Sequence, residues 1–173
     1  PERLTRPGSE PALEIAPGVD FDGLLGSRNG ARDLTTGRST FRPGARLPYH
    51  RHPYSESVTV LSGRILMEVE GRIYALSPYD NMVIPSGLAH AALNPSASER
   101  SLLHVAAPTT TLSRTVEERF FSRRRMPEDC SGQAGAERLT RGADARRYAV
   151  GPDAEFVDFF NGDLMPGVEM SGG

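Results

Sequence analysis

Between Arg38 and Pro108, short apolar runs alternate with turn residues at a spacing of roughly eight to twelve positions, the rhythm of a sandwich or barrel of short strands. The pattern predicts strands at Ser39–Arg42, Glu56–Leu61, Arg64–Val69, Arg72–Leu76, Asn81–Ile84, His90–Asn94 and Leu102–Ala106. Ser62-Gly63 and Glu70-Gly71 read as tight turns between neighbours. In ILMEVEGRIYAL, Ile65, Met67 and Val69 fall on one face, and Glu68 and Glu70 on the other. The same parity points Phe41, Val58, Val60, Ile65, Met67, Met82, Ile84 and Ala92 inward. The expected fold class is all-β.

The flanks differ. Residues 1–35 read as an N-terminal arm with one or two short strands, because Pro7, Gly8, Pro11, Pro17 and Gly18 interrupt any long helix. Residues 36–108 form the expected core. Residues 109–136 read as a connector, in which Thr115-x-x-Glu118 is placed to cap one short helix through Phe120-Phe121. Glu128–Gly135 reads as a loop. Residues 137–173 are a C-terminal arm that resembles the first. ERLTR stands at Glu2–Arg6 and again at Glu137–Arg141, and APGVDFDGLLG (Ala16–Gly26) is loosely matched by GPDAEFVDFFNG (Gly151–Gly162). A steady offset between the pairs argues for duplication.

Composition narrows the function. A chain of 173 residues holds one domain with a genuine core plus arms. Glycine (18) and proline (14) are scattered, which punctuates many short elements. A net charge of -2 sets up no field for nucleic acid or an acidic membrane, and Arg123-Arg124-Arg125 reads as a solvated face. No apolar run is long enough to span a bilayer. The opening Pro1-Glu2-Arg3-Leu4 carries no signal-peptide core, so a cytoplasmic protein is expected. The one cysteine, Cys130, forms no internal disulfide. Its neighbours Glu128 and Asp129 suppress its thiolate, which makes it a poor nucleophile.

The candidate chemistry lies in HRHPYSE (His50–Glu56). Residues two apart on a strand share a face, so His50 and His52 project together. Glu56 follows at an even count and joins them if the strand continues. Past the turn Pro85-Ser-Gly87, His90 offers a fourth group. Imidazoles and a carboxylate converging on one point suit a transition metal. Four ligands leave two positions of an octahedral ion open for substrate, water or dioxygen. By the same alternation Tyr54 shares the face as a candidate acid or hydrogen-bond donor, and is the candidate catalytic residue. Tyr49 flanks the ligands, Arg46 and Arg64 are candidate carboxylate binders, and His104 stands alone in LLHV.

At these residues the chain resembles the cupins. Gly44, His50-x-His52, Glu56 and Gly63 stand at the spacing of the first cupin signature. Pro85-x-Gly87, His90 and Asn94 match the second, except that Tyr79 stands where its leading glycine belongs. The resemblance implies a jelly-roll β-barrel with N- and C-terminal arms, at most one short helix, and one metal ion inside held by His50, His52, Glu56 and His90. The ion would be a divalent transition metal: iron, manganese, nickel, zinc or copper. Its residual positive charge implies an anionic or metal-chelating small-molecule substrate, such as a carboxylate, enolate, catechol or β-dicarbonyl. The implied activity is oxidoreductase chemistry of the dioxygenase type, as in the quercetinase-like cupins. A non-redox isomerase, lyase or decarboxylase, or a non-enzymatic sensor, stays open. Homodimers with exchanged arms are also implied, with no nucleic-acid or membrane partner. The repeated arm either opens a second cupin domain, as in a two-barrel bicupin, or is the entry arm kept from an ancestral second barrel that was lost.

Overall fold

Strands dominate the computed structural model, which describes residues 4–6, 8–9, 11–117 and 135–159. In chain order they are β1 (Leu13–Ala16), β2 (Val19–Leu25), β3 (Thr35–Phe41), β4 (Arg46–Arg51), β5 (Glu56–Ser62), β6 (Ile65–Val69), β7 (Arg72–Leu76), β8 (Asn81–Ile84), β9 (His90–Leu93), β10 (Ser101–Ala107), β11 (Thr115–Val116), β12 (Arg138–Thr140), β13 (Arg146–Gly151) and β14 (Ala154–Asp158). A single 3-10 turn, Ser27–Asn29, is the helical element among the described residues. None of them forms a helix long and apolar enough to cross a membrane.

Two antiparallel sheets face each other. The larger runs β1-β2-β3-β10-β5-β8-β12 and the smaller β11-β4-β9-β6-β7, while β13-β14 is a separate hairpin. This is the predicted all-β jelly roll, built as two layers rather than one closed sheet. The arms belong to it: β1–β2 extends the large sheet past β3, and β12 covers its other edge at β8.

The strands form where side chains alternate between core and solvent. In β3 the odd-numbered Thr35, Gly37, Ser39 and Phe41 are buried and the residues between them are half-buried. All eight residues expected to point inward are buried in one cluster: Phe41, Val58, Val60, Ile65, Met67, Met82, Ile84 and Ala92. Each large side chain taken fully from water contributes about 1.5–3 kcal/mol before chain entropy is counted. Phe21 of β2 lies flat over β3 at Gly37, where a Cβ would sit 2.3 Å from the ring, so only glycine admits that packing.

Two stretches differ from the sequence reading. Arg46–Arg51 is a strand, although RLPYHR lacks alternation and contains Pro48. Thr115, the expected cap, lies with Val116 in a short strand on β4 at Arg51 and His50. Residues 118–121 and the basic run 123–125 lie outside the described residues, as does Cys130. Tyr79 keeps the left-handed conformation of the glycine it replaces, with φ 69. The turn is therefore preserved at a cost of roughly 1–2 kcal/mol in side-chain strain.

Candidate metal centre

β4 and β9 are paired neighbours in the small sheet, and their register sets His50 directly opposite His90. The two rings lie 4.3 Å apart between centroids. His52 does not continue the strand. β4 ends at Arg51, and Pro53, which has no N–H to donate to a ladder, carries the chain across to the large sheet. Glu56 then opens β5, opposite Ile84 of β8. The four groups thus converge because the chain crosses between sheets, not because one strand alternates through them. Their candidate ligand atoms all lie within 4.8 Å of one another.

The second motif is fastened to the first through its backbone. The Gly87 N–H donates to the His52 carbonyl at 2.8 Å. Asn94, fully buried, donates from Nδ2 to the carbonyls of Phe41, Arg42 and Glu99 and accepts the Ser96 N–H. It staples loops together and is no ligand.

Each imidazole is held from behind. Nδ1 of His50 meets the Pro48 carbonyl at 2.7 Å, Nδ1 of His52 the Ser113 carbonyl at 2.5 Å, and Nδ1 of His90 the Leu88 carbonyl at 2.9 Å. A carbonyl only accepts, so each Nδ1 carries a proton and each ring turns Nε2, the lone-pair position of the neutral imidazole, away from it. Nε2 of His90 and of His52 lie 3.2 and 3.9 Å from the Glu56 carboxylate. The His90 Nε2 is buried and makes no hydrogen bond of good geometry. Three oriented lone pairs and a carboxylate are the donor set of a divalent transition metal, with the backing that such ligands need. Ligands about 2.1 Å from an ion stand at most about 4.2 Å apart, so the set closes on one after shifts of a few tenths of an ångström.

The electrostatics agree. Burial, with His90 beside it, pushes His50 down to about 3, so the ring is neutral and ready to ligate near neutral pH. Burial alone would raise Glu56. The imidazoles crowding the carboxylate, His90 first and then His52 and His50, outweigh that and hold the carboxyl below its ordinary range.

The cluster lies in a cavity of about 950 Å³ between the sheets. Phe41, Val58, Met67, Ala92, Leu103 and Val105 make its apolar wall, while Val60, Ile65, Met82 and Ile84 pack the core elsewhere. The arm supplies more wall than the sequence suggested: Leu13, Ile15, Phe21 and Leu25 line the mouth, and Asp22, Arg28 and Asn29 its rim. The connector crosses the opening as a strap. Arg114 donates to the Ile15 carbonyl at 2.5 Å, and β11 pairs with β4 at His50 and Arg51.

The other candidates fall outside the cavity. The Tyr54 ring stacks on His52 at 5.1 Å. Its hydroxyl donates to the Ser113 carbonyl at 2.8 Å and accepts the Ser113 N–H at 2.7 Å. Burial raises its phenol above the ordinary value. Arg46 pairs with Glu68 at 2.9 Å, and Arg64 is exposed. His104 alternates with the wall residues Leu103 and Val105 and therefore faces outward. Ser113, which backs both His52 and Tyr54, was invisible in the sequence, because its part is played by backbone atoms.

Residues 37–106 match the cupin domain family, and the chain carries a cupin domain. It is 32% identical over 93 residues to the polyketide synthase CurC of Streptomyces cyaneus, covering 51% of this chain and 60% of that protein. It is also 32% identical over 100 residues to a germin-like protein of Morus alba, covering 54% of this chain and 47% of that protein. The chain thus spans about half to three-fifths of the length of these curated relatives. Among solved structures, the polyketide cyclase RemF of Streptomyces resistomycificus shares the fold, with a TM-score of 0.60 and 21% identity over 70% of this chain and 88% of that one.

Proposed function

We propose that this cupin is a metal-dependent enzyme acting on a chelating, oxygen-rich small molecule of polyketide type, through a reaction without net oxidation, such as ring closure or isomerisation. The observation that carries the reading is the cavity of about 950 Å³, mostly apolar on its walls, with His50, His52, Glu56 and His90 clustered in its lining. That volume suits a multi-ring carbon skeleton better than a two-carbon acid. The polyketide names of one sequence relative and one structural neighbour support the same substrate class.

When bound, a divalent cation supplies Lewis acidity toward a substrate oxygen. His50, His52 and His90 would hold it through Nε2, and Glu56 would supply the one anionic ligand. Phe21, Phe41 and Met67 pack the carbon framework and exclude water, so a β-dicarbonyl or phenolic end is presented to the cluster. Tyr54 acts as a positioning residue for His52. A dioxygen-dependent oxidation is the second reading, favoured by three imidazoles and a carboxylate that would suit a redox-active ion beside the cavity.

The test loads the protein with iron, manganese, nickel, zinc or copper in turn and offers a β-diketone and a flavonol-like phenol. Expected are a metal-dependent chelate spectrum, loss of it in His52→Ala, and turnover unchanged by removing oxygen. Oxygen consumption matched to product transfers the assignment to the second reading. Failure to take up any ion refutes both.

A further inference from the structure

The ladder of β1–β2 pairs Leu13 with Phe21, Glu14 with Asp20 and Ala16 with Val19, with a bulge between Glu14 and Ala16. The ladder of β13–β14 pairs Tyr148 with Phe156, Ala149 with Glu155 and Gly151 with Ala154, with its bulge between Ala149 and Gly151. Each residue of the second ladder follows its counterpart by 135 positions (148 against 13, 156 against 21), the separation of the two ERLTR segments (137 against 2). Pro17 and Pro152 occupy the same place in the two turns. Register, bulge, turn and spacing repeat together, which chance similarity of short strings does not produce.

The two hairpins differ in what covers them. β2 is bonded on its far side to β3, and Ile15 and Phe21 pack against the core. Among the described residues β14 pairs with β13 alone. The counterparts Val150 and Phe156 are 65% and 41% exposed, where Ile15 and Phe21 are half-buried against the core. A strand edge with no second ladder beside an apolar face suits another sheet. The sequence continues the match: Phe159-Phe160 stand at Leu24-Leu25, and Gly172 at Gly37, the glycine that admits the Phe21 ring.

ERLTR shows the same asymmetry. In its second copy, Arg72 donates to both Glu137 oxygens at 2.6 and 2.8 Å, Tyr74 donates to Glu137, and Leu139 packs on the core. Arg141 donates to Asp80 at 2.8 Å. This clasp covers β8. In the first copy Leu4, the counterpart of Leu139, is 78% exposed. A second copy of this chain offers no open β8 edge for it, because β12 already lies there.

We propose that β13–β14 is the opening hairpin of a second cupin barrel, with β14 bonded to that barrel's counterpart of β3 and Leu4–Arg6 laid onto its counterpart of β8. Each barrel then covers its edge with the other's ERLTR.

The test is a two-barrel chain in which Asp158 is followed by a repeat of residues 24–117, which leaves the second β8 edge without a β12 of its own. Amide exchange of β14 should slow by about a hundredfold or more relative to the 173-residue chain, reaching the range of β5 and β10. Leu4→Asp should speed exchange in the second β8 while leaving the first unchanged. Unchanged β14 exchange, or no response to Leu4→Asp, overturns the proposal. Dimerisation of the 173-residue chain with β14 protected assigns the edge to a second copy and also overturns it. Should the two-barrel chain not fold, residues 13–25 of the single chain are replaced by 148–160, in register and one residue out. Cooperative melting only for the in-register exchange supports equivalence, and equal loss in both refutes it.

Discussion

Tyr54→Phe should weaken metal binding without touching a ligand. The substitution removes one hydroxyl and leaves the ring stacked on His52. That hydroxyl makes two bonds to one peptide, to the Ser113 carbonyl at 2.8 Å and from the Ser113 N–H at 2.7 Å. The same carbonyl receives His52 Nδ1 at 2.5 Å. Neutral hydrogen bonds are worth about 0.5–1.5 kcal/mol each. These face solvent, which places them at the low end, so the strap loses about 1 kcal/mol of its seat. If that loosening passes to His52, the ring is less well held, and about 1 kcal/mol corresponds to roughly fivefold weaker binding. Competition against a chromophoric chelator with zinc or cobalt near neutral pH measures it. Exchange of the Ser113 amide, freed of its acceptor, should quicken in the same variant. Affinity within twofold of the parent would refute the coupling. A fall in turnover at unchanged affinity would instead make Tyr54 an acid in the reaction itself.

Four further outcomes follow from the same geometry. Glu56→Gln removes the one anionic ligand and should lower ion affinity at least tenfold with the far-ultraviolet dichroism unchanged, as read by calorimetric titration. The ion-free protein should lose stability on acidification. Its His50 binds a proton only near 3 while the unfolded ring binds one near 6.5, so the unfolded state gains across that window by up to about 1.4 kcal/mol per pH unit, and urea midpoints in His50→Ala should show a flatter profile. Gly63→Ala places a Cβ 2.6 Å from the Arg100 carbonyl at φ 75 and should cost about 2–4 kcal/mol in urea unfolding. Tyr79→Gly relieves left-handed strain at a side chain 64% exposed and should stabilise by about 0.5–1 kcal/mol after the entropy of glycine is subtracted, read as a higher melting temperature.

The sequence disclosed most of the sandwich, because each core strand is bracketed by turn residues and alternates on a period of two. Arg72–Leu76 and Asn81–Ile84 agree to the residue. Arg46–Arg51 was hidden by Pro48 and by charged ends that alternation alone reads as loop. The four candidate ligands were legible by spacing, yet the parity argument that linked Glu56 to His52 does not describe the path of the chain, which leaves one sheet at Pro53 and enters the other. Ser113 and the cavity-lining face of the N-terminal arm were not legible. The first acts through a backbone carbonyl, and the second depends on β2 finding β3, a pairing that no local pattern announces.

The placement of Glu56 has a mechanical consequence. His50 and His90 belong to the small sheet, and Glu56 to the large one. Any cation shared among them rivets the two layers, so thermal resistance rises with the logarithm of free ion concentration above the dissociation constant, even after the site is full. Melting curves recorded in graded metal buffers would then serve as a gauge of how tightly the ion is held.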